Sequence, residues 1–83
     1  MTYFVYMLKC VTYKKKLTYV GYTNNLVRRL NLHNSGRGAK FTRGKKWIMI
    51  YKKKFISKSK AMSYEYLLKK DKKIRQLIYD NFK

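Results

Sequence analysis

Two helical stretches place polar side chains where a buried face is expected. In the stretch from about Leu26 to Asn34, Leu30 is set at zero on a wheel of ~100° per residue. Leu26 then falls near −40° and Val27 near +60°, which marks the apolar stripe at about that ~100° step. On the same ~100° wheel His33 lands near −60° and Arg29 near −100°, on one edge of the stripe, whereas Arg28 lands near +160° and points away. In the stretch after residue 57, Ala61 is the zero; Leu68 lies near −20°, Tyr64 near −60° and Glu65 near +40° at ~100° per residue. A carboxylate on the flank of an apolar cluster is unfavourable unless it is paired or holds a cation. An arginine, an imidazole and one carboxylate can together grip an anion, move a proton and bind a metal.

Each of these residues also has a plainer explanation. Arg29 and His33 can be an i, i+4 pair at a helix margin with their polar ends in water. Glu65 can pair with Lys69 at i, i+4, a contact worth a few tenths of a kcal/mol (about 0.2–0.5). For Glu65 the functional reading is preferred, because its direction on the wheel is toward the sheet and it is one of three acids in the chain.

Charge selects the anion. The chain has 83 residues, with 22 Lys plus Arg against 3 Asp plus Glu, a net charge of +19. Such a surface repels itself unless it meets a polyanion, and binding nucleic acid releases the polymer's counterions. Hydrolysis of a phosphodiester needs charge stabilised on the phosphoryl oxygens, an activated water and a helped leaving group. With so few acids a cage of several carboxylates around two metals is excluded. One Mg²⁺ or Mn²⁺ held by a single Glu, with water in the remaining positions, is feasible. The segment Gly36-Arg37-Gly38-Ala39-Lys40-Phe41-Thr42-Arg43, followed by Lys45 and Lys46, offers free amides and cations suited to phosphate contact.

The elements that must position these groups are readable. Residues 3–8 form an unbroken apolar and aromatic run, as in a strand covered on both faces. Residues 17–22 read as a second strand joined by a short hairpin. If Tyr6 is opposite Tyr19, both rings share one face; core packing is the plainer reading of either ring. Gly21 marks a bulge or a close backbone approach. Thr23-Asn24-Asn25 supplies N-cap side chains, and Gly36 suits the C′ position of the helix that follows. Residues 47–56 read as a third strand with a lysine-rich outer half. Ser57 or Ser59 caps a second helix running to about Lys70, and Ile74, Leu77, Ile78 and Phe82 mark the buried face of a third. The expected architecture is α+β, order ββαβαα, with a small three-stranded mixed or antiparallel sheet flanked by helices, and one domain over residues 1–83.

Cys10 is the single cysteine, so neither an intrachain disulfide nor a cysteine-based zinc finger is available. The first residues lack a signal-peptide pattern and no apolar run is long enough to span a membrane. The expectation is a soluble cytoplasmic protein that binds nucleic acid, DNA first, and no membrane; the oligomeric state is open.

These positions, in this order, resemble the GIY-YIG nuclease family. Phe4-Val5-Tyr6 is similar to its first strand motif and Tyr19-Val20-Gly21 to its second. Asn25-Leu26-Val27-Arg28-Arg29-Leu30-Asn31-Leu32-His33 looks like the family's helix, with Arg29 and His33 at the catalytic positions. The stretch from His33 to Thr42 and the later Ala61…Glu65 are similar to compact bacterial single-domain members and to the Slx1-type nuclease domain. The resemblance spans about residues 3–70, and Phe4 stands where the family name has Gly. It implies a metal-dependent endonuclease in which Glu65 binds one divalent ion. Tyr6 would act as base or water-positioner, Tyr19 and His33 as active-site partners, and Arg29 as electrostatic stabiliser. DNA repair or recombination is the expected setting. A non-catalytic basic nucleic-acid-binding module is the alternative, and a basic protein lying on a membrane surface the third reading.

Overall fold

The computed structural model describes residues 1–82. Its elements are β1 (Tyr3–Cys10), β2 (Thr18–Thr23), α1 (Leu26–Asn34), a single 3₁₀ turn (Lys40–Thr42), β3 (Trp47–Phe55), α2 (Lys58–Lys70) and α3 (Lys72–Asn81). The order ββαβαα and the α+β class are as the sequence leads one to expect. All strands are antiparallel, in the order β2-β1-β3, so the most apolar strand is the central one.

The alternation of β1 divides the core. Val5 and Met7 point to one face, where they pack with Val20 and with Ala61 and Leu68 of α2. Tyr6, Leu8 and Cys10 point to the other, where they pack with Trp47, Leu26 and Leu30. All of Val5, Tyr6, Met7 and Leu8 are fully buried. The unbroken apolar run therefore has its expected cause: helices cover both faces of the strand.

The hairpin register differs from the pairing considered above. Tyr6 is opposite Gly21, and Tyr19 is opposite Leu8. The two tyrosines still share a face, because Tyr6 and Leu8 are two residues apart on one strand. Their rings meet on the diagonal, with centroids 6.5 Å apart. On the other side of β1, the register to β3 shifts between Met7 and Leu8, so Ile50 is an extra residue in a β-bulge. The bulge lets both Ile50 and Tyr51 pack against the α2–α3 cluster.

Local chemistry sets the helix ends. The Asn25 side chain accepts from Arg28 N at 3.0 Å and starts α1. At its other end Gly36, with φ of 80°, lets Arg37 N reach Leu32 O (2.9 Å) and Gly36 N reach His33 O (3.3 Å), a Schellman closure. Ser57, not Ser59, caps α2. Asp71 ends α2 and caps α3, accepting from Ile74 N at 3.1 Å. Arg75 Nη1 donates to the carbonyls of Leu68 and Lys69 at the C-terminus of α2.

The buried face of α3 needs correction. Ile74 and Ile78 pack against the core, joined by Tyr79, but Leu77 is 61% exposed and Phe82 37% exposed. The helix is short and touches the sheet over a narrow stripe, so the i+3 positions fall outside it. No helix among the described residues is long and apolar enough to cross a membrane.

Candidate active site

The α1 face of the sheet carries polar groups inside an apolar frame. Tyr6 stands at the centre of β1 and has no solvent exposure. Its hydroxyl reaches this interior because residue 21 is glycine: a Cβ there would lie 2.5 Å from Tyr6 Oη. Tyr6 Oη lies 2.9 Å from His33 Nε2, and Arg29 Nε donates to the same oxygen at 3.4 Å. One turn of α1 separates Arg29 from His33, so a single helix edge delivers both to one hydroxyl. Arg28 is exposed and lines a separate cleft on the outer surface of α1, with Asn25, Asn31 and Arg37.

His33 is fully buried as well. Its Nδ1 lies 2.9 Å from Thr42 Oγ1, and Thr42 Oγ1 donates to Ala39 O at 2.8 Å. Gly38 makes this approach possible: a Cβ at that position would come within 2.4 Å of His33 Nδ1. The loop is held from behind. Trp47 Nε1 donates to Thr42 O (3.0 Å), and the Asn34 amide bonds both Trp47 N (2.7 Å) and Trp47 O (3.0 Å). Tyr19 covers the cluster, with its ring 4.9 Å from His33 and stacked on Phe41 at 6.5 Å.

Burial and charge set the protonation of the pair. Burial pushes the Tyr6 hydroxyl up to about 12, against the hydrogen bond and positive charge of Arg29; Tyr19 and Glu65 add to the rise. Burial, and then the Arg29 guanidinium, hold His33 below the ordinary imidazole range. The hydrogen bond to Tyr6 raises Arg29 further, opposed by burial. At neutral pH the resting pair is thus a neutral phenol beside a neutral imidazole, with one fixed cation on the phenol oxygen.

Glu65 stands apart from this cluster. It projects from α2, the helix on the opposite face, which packs along the edge strand β2. Its side chain is 18% exposed and forms the expected i, i+4 pair with Lys69, at 3.6 Å. Its charge reaches Tyr6 as an electrostatic influence. At 3.6 Å the ammonium is an ion-pair partner rather than a close hydrogen-bond donor, so the carboxylate keeps lone pairs for a cation. Among the described residues no group of three His, Cys, Asp or Glu side chains converges. One carboxylate suits an Mg²⁺-type ion, which keeps most of its water and takes other ligands from a substrate phosphate.

The structure thus draws Tyr6, Tyr19, Arg29 and His33 into contact, while Glu65 stands on α2 and acts on Tyr6 through its charge. The fold disperses the basic loop. Lys45 Nζ donates to Phe41 O (3.0 Å) and Lys46 Nζ to Asn34 O (3.4 Å), so both help to close the loop. Lys40 and Arg43 are exposed on the 3₁₀ turn, and Arg37 lies in the α1 cleft. Thr42 and Gly38 were not singled out by pattern. Their signal is three-dimensional, since both act on a side chain that lies elsewhere in the sequence.

Residues 2–77 match the family model described as the GIY-YIG catalytic domain. A UPF0213 protein of Oceanobacillus iheyensis is 48% identical over 68 residues, covering 81% of this chain and 76% of that protein. One from Streptococcus pneumoniae is 45% identical over 71 residues, covering 84% of this chain and 69% of that protein. The solution NMR structure of a UPF0213 protein from Bacillus halodurans matches 99% of this chain and 87% of that chain. The identity is 38% and the TM-score 0.56.

Proposed function

Because the chain belongs to the GIY-YIG family, we propose that it is a metal-dependent endonuclease that hydrolyses phosphodiester bonds in nucleic acid, DNA first. The observation that carries this reading is the buried line from Arg29 through Tyr6 to His33. Tyr6 is poorly suited to lose a proton alone, since burial pushes its phenol up to about 12. With His33 Nε2 at 2.9 Å, its proton has a destination. In the proposed step a water gives its proton to Tyr6 Oη as the Tyr6 proton passes to His33 Nε2. The water oxygen then attacks phosphorus as the P–O bond to the leaving sugar oxygen breaks, and that oxygen takes up a proton from solvent. Arg29 contacts Tyr6 through Nε, which leaves its terminal N–H groups for the phosphoryl oxygens. Tyr19 shields the imidazole from bulk water and borders the edge of β2. Glu65 would hold the divalent ion, Mg²⁺ or Mn²⁺, which when bound supplies charge stabilisation at the phosphoryl and leaving oxygens.

Lys40, Arg43 and Arg37 are the exposed cations we assign to phosphate contact; Lys45 and Lys46 contribute mainly charge. Residues 1–83 would act as one catalytic unit in the cytoplasm, and DNA repair or recombination is the setting this activity suits. The test incubates the protein with plasmid, branched DNA and RNA, with and without Mg²⁺ or Mn²⁺, beside Glu65→Gln. Cleavage that needs the ion and is lost in Glu65→Gln while binding persists supports the reading. A wild type that binds these substrates but never cuts them, with Glu65→Gln behaving identically, would make the chain a basic binding module.

A further inference from the structure

Thr42 lies outside the roles assigned so far, yet it is one of three fully buried side chains in a single hydrogen-bonded line. We propose that Thr42 is a positioning residue that holds His33 in the tautomer protonated on Nδ1, so that the bare Nε2 lone pair faces the Tyr6 hydroxyl. This rests on the reading of Tyr6 and His33 as the pair that moves the water's proton.

Proton counting along the line has one solution. Thr42 has one hydroxyl proton, and the Ala39 carbonyl at 2.8 Å takes it. The same carbonyl accepts Thr42 N at 3.1 Å, so the 3₁₀ turn fixes the hydroxyl against it. Thr42 Oγ1 can then only accept from His33 Nδ1, which must carry the imidazole proton. The other end is compatible with this arrangement. Arg29 Nε is a donor only, so the Tyr6 hydroxyl keeps its proton free to give to His33 Nε2. The opposite tautomer would leave the Tyr6 proton without an acceptor at this contact and turn the Thr42 hydroxyl away from Ala39. Gly38 keeps Nδ1 within reach of Thr42, and Trp47 Nε1 on the Thr42 carbonyl keeps the turn in place.

The consequence is functional. An imidazole protonated on Nε2 cannot receive the Tyr6 proton, so the wrong tautomer leaves Tyr6 unable to take one from water. Thr42 never touches the substrate in this scheme; it acts through His33. Besides Thr42, the titratable and charged groups that act on His33 are Arg29 on its own helix, through its charge, Tyr6 from β1 and Tyr19 from β2.

The chain has a single histidine, so its imidazole nitrogens can be read without assignment. The experiment is a long-range ¹H–¹⁵N correlation spectrum of ¹⁵N-labelled protein above pH 7, joined to cleavage kinetics. Wild type should show Nδ1 protonated and Nε2 bare. Thr42→Val, of similar shape but without the hydroxyl, should populate the Nε2–H form and lower kcat at least about tenfold with KM little changed. Thr42→Ser should restore both readouts. Thr42→Ala replaces Thr42→Val if the valine variant does not fold. A wild type protonated on Nε2 overturns the proposal, as does a valine or alanine variant that keeps the Nδ1–H form. If no variant and no wild type cuts nucleic acid, the catalytic reading fails, while the tautomer spectrum still decides the role of Thr42.

Discussion

The two faces of β1 are built from neighbouring residues of one strand and do opposite work. On the α2–α3 face, Val5 and Met7 meet Val20, Ala61 and Leu68, and the contact is apolar packing. On the α1 face, Tyr6 and Leu8 begin the same way, but Tyr6 ends in a hydroxyl whose partners are Arg29 and His33. The first face needs volume filled. The second needs each proton placed, because a buried polar group without a partner loses about 1–3 kcal/mol. Packing and the Tyr6–Arg29–His33 cluster are thus divided between the faces of a single sheet, with Glu65 alone coming from the packed side.

Substitutions on the two sides should separate these roles. The largest effect is expected for Tyr6→Phe, which removes one oxygen and little volume: cleavage should fall by about 10²–10⁴ while chemical denaturation shows a folded protein. Leu68→Ala on the other face should do the reverse. It should lose about 2–5 kcal/mol of stability and keep its kcat per folded molecule, as urea titration and active-site kinetics would report. If Leu68→Ala loses kcat in proportion to Tyr6→Phe, the faces are not separable.

A smaller effect comes from space alone. Gly21→Ala would press a methyl group against Tyr6 Oη, which cannot retreat from its buried site. We expect a loss of about 1–3 kcal/mol from overpacking together with loss of cleavage; near-neutral behaviour in both would mean that the ring has room to move.

Acid should also distinguish the faces. His33 is held neutral by burial and by Arg29, so its folded-state pKa lies below that of the unfolded chain. The stability this gives is complete above the unfolded value of about 6.5. It is lost as pH falls through the folded value, at no more than about 1.4 kcal/mol per pH unit for one proton. Thermal melts of wild type and His33→Gln between pH 8 and 5 should differ in this slope. A wild type without extra slope would mean that His33 takes up its proton as readily in the fold as in the unfolded chain. The smallest effect belongs to α3. Leu77→Gln should stay within about 0.5 kcal/mol, whereas Ile78→Ala, half-buried on the packed stripe, should cost about 1–2 kcal/mol.

Much of this was legible in order and period. Helix periodicity separated Arg29 from Arg28, and in the structure Arg29 reaches Tyr6 while Arg28 stays exposed. The capping sites were readable as Thr23-Asn24-Asn25, Ser57 or Ser59, and Gly36, since caps follow from local hydrogen bonding; the structure chose Asn25 and Ser57. Register was not. Tyr6 opposite Gly21, rather than Tyr19, depends on the loop between the strands, whose sequence carries no turn signature. The misplacement of Leu77 and Phe82 has a related cause. Periodicity marks an apolar stripe but not how much of it the sheet is wide enough to cover.

The sequence by itself determined the strand and helix order, the family motifs and the edge of α1 that faces inward, because these depend on neighbours within a few residues. Only the tertiary structure decided that Tyr6, His33 and Thr42 form one buried line. It also decided that Gly21 and Gly38 make room for that line, and that Glu65 approaches from the other face. Those facts depend on contacts between elements distant in the chain, and on the space left where two glycines carry no side chain.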